Sequence, residues 1–501
     1  MRMFTRIAIG ALSLVLIVVV AGAAWLFSQF RGATIDTVGE VEFSRALAVP
    51  PLAESELVDG TRVFDLTLQR GESDFGRDRP TPTWGVNGDY LGPTLRASRG
   101  EQVRVNVTND LGEESTLHWH GMHLPAAMDG GPHQMVADGQ TWSPTWQINQ
   151  PAATLWYHPH PHGETARHVY NGISGLFILD DPDTDAGDAL PSTYGVDDIP
   201  LIVQDRRFSG HEFDHGRSLL NNTGILGDHV LVNGTADPYL EVTTERVRLR
   251  ILNGSNARIY NFVLDDGRDF DVVGSDGGLL PAPVTRSALE LSPGERAEIV
   301  VAVTPGERVV LRSEPLTSMD NVFAGTRDRL DILELRAADT LTQSPPVPDQ
   351  LAPEPDLGGG EIAVERSFNL ANDAINGESM DMSRIDFASE VDTTELWRVR
   401  GRDDSPHNFH VHDVQFVVRA IGGEPPPAEL AGWKDTVLLI PGVEYELMLR
   451  FTDYTDPDMP YMFHCHLLRH EDRGMMGQFV VVAPGEQAGE VPHDHDRDHD
   501  H

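Results

Sequence analysis

Apolar and polar positions alternate in short runs along most of the chain, as in Val103-Arg104-Val105-Asn106-Val107 and Val247-Arg248-Leu249-Arg250-Ile251. A period of two predicts strands with one buried face. Turn residues punctuate these runs, with 47 Gly and 34 Pro in 501 residues. Long amphipathic helical patterns are scarce, so the expected fold class is all-β, built of sandwiches. The length suits about three domains, and an internal repeat gives the same count. Val86-Asn87-Gly88 precedes the strand that begins at Glu101, Val232-Asn233-Gly234 the one at Arg246, and Ile375-Asn376-Gly377 the one at Glu395. Each unit turns at Asn-Gly and then climbs a strand toward one site.

Boundaries follow from composition. The stretch from Asp180 to Pro200 is acidic and turn-rich, and Leu341 to Gly360 carries prolines and three terminal glycines. The expected units are therefore 45–183, 198–338 and 361–483, with a linker at 341–360, a leading segment at 1–30 and a tail at 484–501. From Pro492 that tail alternates His493, His495, His499 and His501 with acids and has no apolar residue, so it is expected to be disordered and solvated.

One segment breaks the alternating pattern. Ile7 to Phe27 has no charged residue and as a helix would span about 31 Å, near the thickness of a bilayer core. Arg2 and Arg6 precede it, which places the short end inside and exports the rest. An N-terminal hydrophobic helix, a membrane anchor if uncleaved and a signal segment if cut near Ala21, Ala23 and Ala24, is expected, and with it an extracytoplasmic location, periplasmic or at the cell surface. The formal net charge is −40 and Lys434 is the only lysine. So acidic a surface argues against nucleic acid as a partner.

The chemistry is concentrated near the C-terminus. Cys465 is the only cysteine, and it sits in His464-Cys465-His466, followed by His470 and Met475. On a strand, Cys465 faces one side and its two flanking histidines the other. A thiolate with two imidazoles and a weak thioether is the blue-copper arrangement. Imidazoles also stand two residues apart at His118 and His120, at His158 and His160, and at His410 and His412, the last preceded by His407. With 21 histidines in the chain, chance supplies about one such pair.

These motifs resemble those of the multicopper oxidases, and more closely the bacterial copper-efflux and laccase-like branch, over roughly residues 45 to 483. The resemblance implies three cupredoxin-like Greek-key domains and four copper ions, one type 1, one type 2 and two type 3. It implies type 1 ligands His407, Cys465, His470 and axial Met475, with type 2 ligands His118 and His410. One type 3 copper would take His120, His158 and His466, and the other His160, His412 and His464. The middle repeat carries Ala257 to Phe262 where the outer ones carry histidine pairs, so the first and third units own the metals and the second is a spacer. Asp129 and Glu471 match acidic positions assigned to proton delivery. His470 is the expected edge for electron entry.

The implied activity is oxidation of a small reducing substrate with O2 as acceptor. Cu(I), in copper homeostasis, and a phenolic donor both remain open. Asp403 and Asp404 overlap a position that helps bind substrate copper, but Ser405 stands where a methionine is expected, and no methionine-rich run occurs between Met319 and Met380. Two non-catalytic alternatives are a copper buffer and a cell-envelope scaffold of the same fold. His162 falls outside the ligand set. His123, His133, His168, His211, His215 and His229 are read as hydrogen-bonded structural residues.

Overall fold

The computed structural model describes residues 16–22, 25, 27, 30, 32–182, 189–216 and 221–491. The expected span Ile7 to Phe27 lies largely outside them, as does the tail from 492 onward. Positions 16–22 are helical. Among the described residues no helix is long and apolar enough to cross a membrane.

The alternating runs form paired sheets around three apolar cores. The first holds Val103, Val105, Trp119, Leu155 and Phe177. The second holds Leu201, Leu249, Ile251, Phe262 and Ile299, between sheets of seven and six strands. The third holds Trp397, Phe409, Phe463, Cys465 and Phe479, between two sheets of five strands each. Ala126, from the chain of the first core, packs into the third. Among the described residues regular helix occurs only in short pieces such as Thr165–Asn171 and Leu468–Asp472. The stretch expected to be a linker runs along the second core, where Leu351 packs with Val273, Leu279 and Val300.

The Asn-Gly repeat has a common physical basis. Asn87, Asn233 and Asn376 adopt φ of 54°, 51° and 55°, a left-handed conformation that asparagine tolerates better than most side chains. Each side chain then ties down the strand beside it. Asn87 accepts from Thr67 N–H at 2.6 Å and donates to the Asp65 carbonyl at 2.8 Å. Asn233 does the same with Ile202 and Pro200, both at 2.8 Å, and Asn376 with Asn369 and Ser367 at 2.9 and 2.8 Å. One turn thus anchors each sandwich in the same way.

Two strand ladders aim histidines at the seam between the first and third cores. Strand His118–His120 pairs antiparallel with Ala153–His158, setting His118 opposite His158. Strand His407–Val411 pairs with Asp456–His464, setting His410 opposite His464. The strand carrying His464 ends there, short of the cysteine expected on it. The chain turns at this point because Cys465 N–H donates to the Met475 carbonyl at 3.1 Å, after which Leu468–Asp472 forms a helical turn.

His123 also joins the two cores. Its Nδ1 lies 2.7 Å from Asp413 Oδ1 and its Nε2 3.1 Å from Asp453 Oδ2. Burial alone would lower this imidazole, but the two carboxylates raise it to about 9. An unfolded histidine titrates near 6.5, so the contribution is full below about pH 6.5 and is lost as pH rises through about 9. We expect His123→Gln to lower the melting temperature most in mildly acid solution, with the difference from wild type shrinking above about pH 9. A difference that stayed constant across that range would remove the ion pair as its cause.

Candidate metal centre

The two ladders enclose a cavity lined by eight imidazoles, His118, His120, His158, His160, His410, His412, His464 and His466, each no more than 1% exposed. Rings from the two cores stack across the seam. His118 lies 3.9 Å from His412 and His120 lies 3.7 Å from His410, between centroids. Donor atoms of His118, His410 and His412 fall within 4.8 Å of one another, as do those of His160, His412 and His464, and those of His118, His120 and His158. His158 Nε2 also stands 3.4 Å from His120 Nδ1 and 3.5 Å from His466 Nε2.

A neutral imidazole carries one proton on two nitrogens, so a hydrogen bond at one nitrogen decides where the lone pair points. His118 Nδ1 donates to the Asp129 carbonyl at 2.9 Å and His410 Nδ1 to the Asp435 carbonyl at 2.8 Å. Their Nε2 atoms are buried without a partner. His412 Nδ1 donates to Asp129 Oδ2 at 2.8 Å and His158 Nδ1 to the Pro159 carbonyl at 2.9 Å. His120 is turned the other way, with Nε2 bonded to Asp435 Oδ1 at 3.0 Å and Nδ1 facing the cavity. Burial first, then the neighbouring imidazoles, push His120, His158, His160, His410 and His464 well below the usual range. His412 and His466 fall to about 4 and about 3, again mainly through burial. Unprotonated nitrogens that converge and lack donors are the state a metal requires. The residues therefore fit a cluster of imidazole-loving ions such as copper.

Behind this cavity lies a second group. Cys465 Sγ is 3.5 Å from His470 Nδ1 and 3.8 Å from His407 Nδ1, and all three, with Met475, are buried. Burial would raise the thiol, but the two facing imidazoles bring it down to about 6. His464 and His466 turn to the opposite side and stack on each other at 5.4 Å. His470 is fully buried and its Nε2 donates to the Asn222 carbonyl at 3.1 Å, so it does not form the exposed edge expected of it. His407 has the link to the surface, through Nε2 to Asp403 Oδ1 at 2.8 Å, and the Asp403 side chain is 29% exposed.

Both expected acids are buried beside the imidazoles. Asp129 touches His412 and His118, which hold its carboxyl below the usual range although burial opposes them. Glu471 lies 3.3 Å from His464 Nδ1 and 3.7 Å from His160 Nε2, and burial raises its carboxyl well above the ordinary value.

Comparison with known proteins places this arrangement. Multicopper oxidase family models match residues 67–184, 210–310 and 355–485. The chain belongs to the multicopper oxidase family. It is 36% identical over 440 residues to the multicopper oxidase mco of Staphylococcus haemolyticus, covering 86% of this chain and 92% of that one. It is 38% identical over 447 residues to the cell division protein FtsP of Pectobacterium atrosepticum, covering 87% and 92%. Among solved structures, the laccase-like multi-copper oxidase CueO of Ochrobactrum sp. superposes with a TM-score of 0.79 at 37% identity, covering 87% of this chain and all of that one. Membership implies copper as the cofactor and O2 with a reducing substrate as reactants.

Several supporting residues of this multicopper oxidase were not legible as such in the sequence. Asn408 Oδ1 accepts from His466 N–H at 2.6 Å and stands 3.6 Å from Cys465 Sγ, while its amide donates to the Pro293 carbonyl at 2.8 Å. Its position between His407 and His410 was the only available signal. Asp435 was marked only by following the sole lysine.

Cys465→Ser keeps nearly the same volume in a fully buried site. We expect the fold to survive, the intense thiolate-to-copper band to vanish and substrate oxidation to cease. Retention of both band and activity would remove Cys465 from the centre.

Proposed function

We propose that this multicopper oxidase is an exported four-copper enzyme that passes single electrons from a small reducing donor to O2, giving water. His407, Cys465, His470 and Met475 would hold type 1 copper, and His118 and His410 the type 2. His120, His158 and His466 would hold one type 3 ion, and His160, His412 and His464 the other. The observation that carries this reading is the pair of unpartnered, buried Nε2 atoms of His118 and His410, each with its Nδ1 fixed on a backbone carbonyl. Bound copper supplies the one-electron steps and the multi-electron reduction of O2.

The protein residues hold, orient and deliver protons. Cys465 connects the two centres through its own backbone, since its neighbours on both sides face the larger cavity. Asp129 orients His412. Glu471, a buried carboxyl within reach of His464 and His160, would be placed to hand on a proton during O2 reduction. Glu471→Gln should slow reoxidation by O2 by roughly 100-fold while leaving anaerobic reduction of the blue band by donor unchanged, as stopped-flow absorbance would record. Equal slowing of both steps would assign Glu471 to general stability.

Asp403, half-exposed and bonded to His407, and the exposed Asp404 give the entrance of the type 1 site a carboxylate lining. This favours a cationic donor, Cu(I), over a phenol. Export and anchoring by the N-terminal segment rest on its sequence and on the exposed apolar side chains at Leu16 to Val20. The similarity to proteins named for cell division makes a scaffold, and the acidic surface a copper buffer, the competing outcomes. The deciding experiment counts copper per chain, records visible and EPR spectra and follows O2 consumption with Cu(I) and with a phenol. Four coppers, a blue band and O2 uptake are expected, and Asp403→Asn should raise KM for Cu(I) far more than for the phenol. Copper without O2 uptake would point to the buffer, and no copper at all to the scaffold.

A further inference from the structure

The second core supplies no predicted copper ligand, yet one of its side chains reaches the carboxylate that stands behind two of the histidines. Arg296 begins the strand Arg296–Ala302 and is fully buried. A guanidinium has five N–H groups, and here all five are used, across three cores. Nε donates to the Thr154 carbonyl of the first core at 2.9 Å. Nη1 donates to the Gly294 carbonyl at 3.0 Å and to Asp435 Oδ1 at 2.7 Å. Nη2 donates to the Asp276 carbonyl at 2.9 Å and to Asp435 Oδ2 at 2.6 Å.

Asp435, of the third core, in turn touches two imidazoles that face different parts of the cavity. Its Oδ1 accepts from His120 Nε2 at 3.0 Å and its backbone carbonyl accepts from His410 Nδ1 at 2.8 Å. One residue thus fixes which nitrogen of each ring keeps its proton. The second core steadies the same residue again, because Asp276 Oδ2 accepts from the N–H groups of Asp435 and Thr436 at 3.3 and 3.2 Å. Lys434 Nζ locks Asp276 and Glu295 together, 2.9 Å from each.

Two glycines mark how closely these parts approach. A Cβ on Gly121, at φ +84°, would stand 2.5 Å from Asp435 Oδ2 and 2.8 Å from Arg296 Nη2. One on Gly294, at φ +86°, would stand 3.1 Å from the His466 ring. Stability is a weak explanation for so many buried charges, since apolar replacements of buried ion pairs are often neutral or stabilising. Control of ligand orientation explains where each charge sits, as outer-shell carboxylates do at other metal centres.

We propose that Arg296 is a positioning residue for the trinuclear copper centre, holding Asp435 so that His120 Nδ1 and His410 Nε2 present their lone pairs to the metals. The proposal rests on the copper assignment above. Its test compares copper-loaded full-length wild type with Arg296→Gln, Arg296→Lys and Asp435→Asn. The readouts are copper content, the type 2 EPR signal relative to the type 1 blue band in the same sample, and melting temperature. We expect the blue band per folded chain to persist while the type 2 signal weakens or shifts and copper retention at the trinuclear centre falls roughly 10–100-fold. Arg296→Lys should not restore it, because an ammonium cannot reproduce the planar fork. A wild-type ratio of the two signals in all variants would overturn the proposal, and so would a proportional loss of both signals. If Arg296→Gln does not fold, Asp435→Asn decides by the same ratio. A wild type lacking both signals would overturn the copper assignment itself and this proposal with it, an outcome distinct from the others.

Discussion

Imidazole has two nitrogens and, when neutral, one proton. Gathering eight such rings in one buried cluster makes proton placement decisive, because a hydrogen bond on the outer nitrogen leaves the inner lone pair free, and five of the rings are set in this way. Carbonyls of Asp129, Pro159 and Asp435 and the carboxylates of Asp129 and Asp435 perform this placement. The strands exist where they do so that these acceptors stand behind the rings. The low proton affinity of the rings follows first from burial and then from the neighbouring imidazoles. Neutral rings suit cations, and several of their buried nitrogens have no hydrogen-bond partner.

The second core acquires its place from that requirement. A sandwich that contributed only distance between its neighbours would need an apolar seam. Instead it presents Arg296, Asp276, Glu295 and Gly294 behind the histidines, and Arg250 and Glu298 to Thr154 of the first core, with Arg248 paired to Glu298. Paired charges in a seam have directional contacts that an oily seam lacks, so they fix the rotation of one sandwich against another as well as their separation.

Much of the fold and site could be read from residue order because both are written in the strand period. His118 and His120, or His410 and His412, share a face through local geometry alone, and the Asn-Gly turns repeat because a left-handed asparagine and its two side-chain bonds recur in each sandwich. The less legible features depend on contacts distant in sequence. Arg296 and Asp435 are 139 positions apart, and nothing in either neighbourhood encodes their meeting. The burial of His470 was hidden for the same reason, since the covering carbonyl belongs to Asn222, 248 positions away. The strand expected to run through Cys465 stops at His464 because the following turn must bring Met475 back to bond the cysteine N–H, and a period-two pattern carries no information about that return.

The join between the two proposed centres depends on the same distant contacts. Under that proposal, only the backbone would separate Cys465 from His464 or His466, so the path would be as rigid as that tripeptide. Cys465 N–H is held by the Met475 carbonyl and His466 N–H by Asn408 Oδ1. Asn408 also approaches the sulfur and is itself held by Ser292 and Pro293 of the second core. A single amide therefore ties Cys465, His466 and the second core together. Loosening it would change the orientation of His466 and the hydrogen bonding of the sulfur at once, so under the proposed assignment the potential of one centre would be coupled to the geometry of the other.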